Sequence, residues 1–156
     1  MNSCLGAGHL NSVSSPYRNP VSTAVSAGSG RPGARASIQG MPSVIKTVTW
    51  DCSDALVVAR FWAAALGSDV DEDSTVTKAY VEAAGWGAPN MWFNQVPEPK
   101  TAKNRQHFDL RAPASMAEEV GRLVALGATV VRRDAELTVM RDPEGNEFCV
   151  EPGPAG

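Results

Sequence analysis

The stretch "FWAAALG" ends at Leu66-Gly67, and sixty residues later "GRLVALG" ends at Leu126-Gly127. Each closes an apolar-periodic segment with a residue suited to a left-handed helix cap. The surroundings repeat as well. "VIKTVTW" (44–50) is a β-branched alternating strand, and Ser53 or Asp54 supplies a cap for a helix over 55–66. Leu56, Ala59, Trp62, Ala63 and Leu66 make its apolar face. Strands follow at 75–83 and 91–96. "PEPKTAKNR" (97–105) has two prolines, three bases and no apolar period, which marks a linker. The order then recurs. A strand at 107–112 precedes the S-x-x-E capping box of Ser115 and Glu118. A helix over 116–126 turns Met116, Val120, Leu123 and Val124 inward, and strands follow at 129–133, 136–141 and 147–151. "DPEGN" is the turn before the last strand.

Each half reads as βαβββ. One such half leaves a sheet face unburied, so it needs a partner, and a duplicated unit supplies one in the same chain. The expected fold is α+β: two tandem βαβββ modules, 44–96 and 106–152, forming facing curved sheets around a ligand-sized cavity. Residues 153–156 form a short tail.

The chain has 156 residues and a net charge of −3. Residues 1–43 hold Arg18, Arg31 and Arg35 and no acid, so the remainder carries −6 (−3 less +3). That balance gives no reason to expect nucleic acid or an anionic membrane as partner. The first 43 residues are rich in Ser, Gly, Ala and Pro and bury too little to offset ordering, so they are expected to be disordered, with Met41 opening the folded part. No apolar run reaches the length of a membrane helix, and a cytoplasmic location is the default. Cys4, Cys52 and Cys149 are too few for a disulfide framework and have no C-x-x-C spacing for structural zinc.

The tandem βαβββ order, "FWAAALG", "RDPEGNEF" and "VPEPKTAKNRQHFDLR" resemble the vicinal oxygen chelate superfamily of glyoxalases, bleomycin-resistance proteins and extradiol dioxygenases, in its glyoxalase-like branch. The resemblance spans residues 44–152. It implies metal ligands on the first and last strands of each module. Carried over, those positions are Thr47, Phe93 or Gln95, His107 and Cys149, which are the expected ligand-cavity residues. Metal-dependent relatives place Glu where Cys149 stands. Homodimers are a further implication of the resemblance.

Thr47 and Phe93 are not metal ligands, which leaves His107 and Cys149 with Gln95 as candidates, short of a full set. The first reading is therefore a small-molecule-binding protein with an incomplete metal site and no cofactor, for metabolite or antibiotic sequestration. The alternative is a divalent-metal-dependent lyase, isomerase or dioxygenase. A third is a metal-free lyase using His107 or Asp109, two residues apart, as catalytic base. Cys149 reads either as a small apolar residue or as a thiol paired with His107.

Overall fold

The computed structural model describes residues 43–86 and 89–154. The segment expected to be disordered lies, apart from Ser43, outside the described residues, as do Cys4, Met41 and residues 155–156. The order is β1 (Thr47–Cys52), α1 (Ala55–Leu66), β2 (Lys78–Val81), β3 (Asn90–Gln95), β4 (Asp109–Arg111), α2 (Met116–Ala125), β5 (Thr129–Arg133), β6 (Thr138–Arg141) and β7 (Glu147–Glu151). One sheet has the order β1-β3-β2 and the other β4-β7-β6-β5. In each, the first strand of the module runs parallel beside the last, and the others pair antiparallel. This is the expected α+β architecture of two modules; each sheet bonds only within itself, so the two are not joined into one closed sheet.

Module 1 has three strands where four were expected. A single antiparallel bridge, Val70 to Val81, holds the place of the fourth. The residues around it read Ser68-Asp69-Val70-Asp71-Glu72-Asp73. Carboxylates at this density are poor strand formers, and like charges along an edge repel.

Asp54 caps α1, its Oδ1 accepting from the amides of Leu56 and Val57 at 3.0 Å each. Gly67 ends it with φ 67°. The buried face is Ala55, Val58, Ala59, Phe61, Trp62 and Ala63, so the expected inward Leu56 and Leu66 are displaced, Leu66 being 39% exposed. The face is broader than one sheet requires because α1 serves both modules. Trp62 lies 5.4 Å from Phe108 and 5.3 Å from Phe148 between ring centroids, and Phe61 lies 5.9 Å from Phe148. In α2, Val120 and Leu123 are buried and Met116 packs on the core, whereas Val124 is 45% exposed and not inward.

α1 carries no acid in its first turn and no base in its last. Module 2 supplies both. Glu144 accepts from the amides of Ser53 and Asp54, and Arg122 donates to the carbonyls of Ala64 (3.0 Å) and Ala65 (2.9 Å). A carboxylate at the N-terminus and a guanidinium at the C-terminus both oppose the helix dipole. The "DPEGN" turn is thus a clamp between modules. Its Asp142 accepts from Trp62 Nε1 at 3.2 Å and from the amides of Glu144 and Asn146.

Candidate functional site

Strand alternation sorts the side chains into two faces. Trp50, Met91, Phe93, Ala79 and Val81 pack with the helices in module 1, as do Phe108, Leu110, Met140, Phe148 and Val150 in module 2. The opposite face carries the chemistry. In module 2, Asp109 pairs directly with Cys149, and Cys149 with Val139. His107 stands just before β4 on the same side, its Nε2 3.3 Å from Asp109 Oδ1. Donor atoms of His107, Asp109 and Cys149 all lie within 4.8 Å of one another. Burial first, then the hydrogen bond and charge of Asp109, push the Cys149 thiol above its ordinary range. Both causes favour the neutral thiol over the thiolate.

The equivalent row of module 1 differs. Thr49 pairs with Trp92, and Trp92 with Tyr80. Where module 2 sets Asp109, Cys149 and Val139, module 1 thus sets Thr49, Trp92 and Tyr80. The Tyr80 and Trp92 rings lie 4.6 Å apart, with the Lys78 ammonium 4.8 Å over Trp92.

These placements bear on each expected site residue. His107, Asp109 and Cys149 come together. Thr47 sits at the start of β1 opposite Asn90, on the same face as Thr49. Phe93 is fully buried against the helix side. Gln95 shares that parity and spends its amide on the Ser53 carbonyl at 2.8 Å. The position cross-strand equivalent to Cys149 is Trp92, where the sequence reading expects Phe93 or Gln95.

A cleft of about 260 Å3 opens where β1 meets the segment before β4, with Thr49, Trp50, Asp51, Asn104, His107 and Asn146 among its lining. Thr49, Asn104 and Asn146 were not anticipated from the sequence. Their signal was available: Thr49 lies sixty residues before Asp109, as Leu66 does before Leu126. Trp50 Nε1 is buried and has no hydrogen-bond partner, the one such side-chain atom among the described residues. Its ring lies on the core face, against Trp62, Phe93 and Phe108.

As a metal site the cluster fits in part. Imidazole, carboxylate and thiol suit zinc or a similar divalent ion, and three protein ligands is the number that leaves a position open for chemistry. Zinc bonds of about 2.0–2.3 Å would hold the donors roughly 3.5 Å apart, so the three side chains would have to draw inward. Thr49 and Trp92, the module 1 residues that answer to Asp109 and Cys149, offer no donor of comparable strength.

The sequence model of a family described as a glyoxalase-like domain matches residues 47–151. No curated protein sequence matches the chain. Among solved structures, similarity extends to a glyoxalase/bleomycin resistance protein/dioxygenase family enzyme from Burkholderia phytofirmans, with 17% identity, 70% of this chain and 98% of the other covered, and a TM-score of 0.58. The fosfomycin resistance protein FosX from Listeria monocytogenes is 16% identical over 72% of this chain and 92% of its own, with a TM-score of 0.55. The trypanothione-dependent glyoxalase I of Leishmania major is 11% identical over 71% and 87%, also at 0.55. At these identities the likeness shows a shared fold.

Proposed function

The chain belongs to the glyoxalase-like domain family, and from that premise we propose that it is a small-molecule-binding protein whose metal-ligand set is confined to one module. The supporting observation is the cross-module row: Asp109 and Cys149 in module 2 answer to Thr49 and Trp92 in module 1. The ligand would enter the cleft between β1 and His107, with Thr49, Asn104 and Asn146 offering hydrogen bonds. Metabolite or antibiotic sequestration is the role this suits. The partner proposed is a small molecule rather than nucleic acid or a membrane. Among the described residues no helix is long and apolar enough to cross a membrane. Homodimer formation and a cytoplasmic location belong to the same proposal.

The convergence of His107, Asp109 and Cys149 favours a second reading, a divalent-metal-dependent lyase, isomerase or dioxygenase. A bound metal would supply Lewis acidity toward a carbonyl or vicinal oxygens. The chain's own part would be to hold the imidazole through Asp109 and to shield one side with the buried Cys149 strand. Asp109 replaces Gln95 as the third candidate ligand.

The test is a thermal-shift screen of metabolites and antibiotics on the full-length chain, beside elemental analysis of protein purified without chelator. The binding reading expects a hit whose stabilisation is lost in His107→Ala without added metal. About one metal per chain, with turnover that His107→Ala and Asp109→Asn both abolish, would replace it with the second reading.

A further inference from the structure

A second depression lies beside the His107 cluster. Residues 100–103 pass over the same face of the module 2 sheet and, with β5, β6 and the start of β7, enclose about 540 Å3 lined by Lys100, Lys103, Val131, Val139, Arg141 and Glu147 among others. Val139 is the direct cross-strand neighbour of Cys149, so the floor of this groove runs into the cluster.

The charges do not balance. Glu147 takes Lys100 at 3.0 Å on one oxygen and Arg141 at 3.7 Å on the other, and it also accepts the Asn104 amide at 3.1 Å. Glu144, the other carboxylate lining the groove, has both oxygens engaged by the Ser53 and Asp54 amides. Among the described residues Lys103 therefore has no carboxylate partner. Three cations against two committed acids leave the groove at +1, in a chain of net charge −3. Its floor is apolar: Val131 is 48% exposed there and Val139 is half-buried. Lys103 lines the groove together with Val139, the cross-strand neighbour of Cys149, which places its charge near the cluster.

We propose that this groove is a subsite for a small organic anion, its carboxylate or phosphonate at Lys103 and its apolar portion on Val131 and Val139. The proposal rests on the reading that this face binds a small molecule, and it specifies the ligand's chemical class. A concave apolar floor with one uncompensated cation selects an amphipathic anion over a neutral or cationic analogue of equal shape. The Glu147 network fixes residues 100–104 above the sheet, so Lys103 is presented without a large ordering cost.

The experiment titrates the full-length protein with three near-isosteric probes, 4-phenylbutyrate, 4-phenylbutanol and 4-phenylbutylamine, following amide shifts by NMR. The acid should bind about fivefold or more tighter than the alcohol, and the amine weakest, with the preference shrinking as salt rises. Lys103→Gln should erase the preference for the acid, and Val131→Asp should weaken all three. Arg60→Gln, on the exposed side of α1 and in neither depression, should change nothing. Equal affinity for acid and alcohol, or an acid preference that survives Lys103→Gln, overturns the proposal while leaving small-molecule binding intact. No binding by any probe also overturns it, and the broader reading then stands or falls on the His107-dependent screen.

Discussion

Removing the Asp142 carboxylate tests whether the turn before β7 is a clamp or only a turn. Asp142 is 2% exposed and accepts from Trp62 Nε1 (3.2 Å), the amides of Glu144 (3.0 Å) and Asn146 (2.9 Å), and Asn146 Nδ2 (2.9 Å). Trp62 is fully buried, so in Asp142→Ala its indole N–H has no water to turn to, and the Asn146 amide is nearly as enclosed. Each orphaned buried donor costs roughly 1–3 kcal/mol, so the pair puts the loss at about 4 kcal/mol. For an ordered domain of this size that is about 15 °C in Tm. Asp142→Asn keeps one acceptor oxygen and should cost about half as much. Trp62→Phe removes the donor, and the Asp142→Ala/Trp62→Phe double variant should fall short of additivity by about 1 kcal/mol or more. Urea denaturation followed by near-ultraviolet circular dichroism reads both stability and the asymmetry of the Trp62 cluster. A loss under about 1 kcal/mol for Asp142→Ala, or strict additivity, would refute the clamp.

Two further outcomes follow from the same packing. Arg122→Ala should cost about 3 kcal/mol in urea melts, because it frees two α1 carbonyls and strands Glu119, 7% exposed and held by Arg122 at 2.8 Å; Arg122→Lys should recover less than half, lacking the fork. Burial, then the charges of Glu144, Asp51, Asp54 and Asp142, push the Cys52 thiol up to about 12 from 9.0. A raised folded pKa favours the neutral thiol, so its contribution is intact below pH 9 and is lost as pH climbs toward 12. Cys52→Ala should therefore show a shallower alkaline loss of stability than the parent between those limits, and parallel curves would contradict the assignment.

The repeat made the architecture legible, because helix caps and alternating strands are local signals that survive in one sequence. The site was legible only in part, and the reason is arithmetic. Thr49 and Asp109 are sixty apart, Tyr80 and Val139 are 59 apart, and Trp92 and Cys149 are 57 apart, as the strand registers show. The connections in the two modules differ in length, so a constant offset slips by three residues before the last strand. A slip of an odd number turns the opposite face toward the ligand. Hence Phe93 and Gln95 were expected where Trp92 stands, whereas His107 and Cys149, aligned on the "DPEGN" turn within one module, were placed together. The rotated face of α1 was illegible for another reason: its breadth comes from Phe108 and Phe148 of the other module, which helical periodicity cannot register.

The asymmetry between modules also bears on how the proposed ligand site is held together. Module 1 has given its equivalent row to Trp92 and Tyr80, and module 2 has kept ionisable groups in Asp109 and Cys149. Neither row is a site unless the two are held in fixed relation. That relation is carried by α1, whose Trp62 touches both aromatic sets and whose ends are capped by Glu144 and Arg122 from the far module. Bonds that cross between modules at three points along one helix leave little freedom for the modules to shift independently. The cleft between β1 and His107 is therefore a consequence of the clamp. Its lining residues Asn104 and Asn146 belong to the same bonded set as Asp142 and Glu147, since Asn104 meets both Glu147 and Asn146, and Asn146 meets Asp142. A perturbation of the clamp should reach the ligand through those amides before it unfolds the chain.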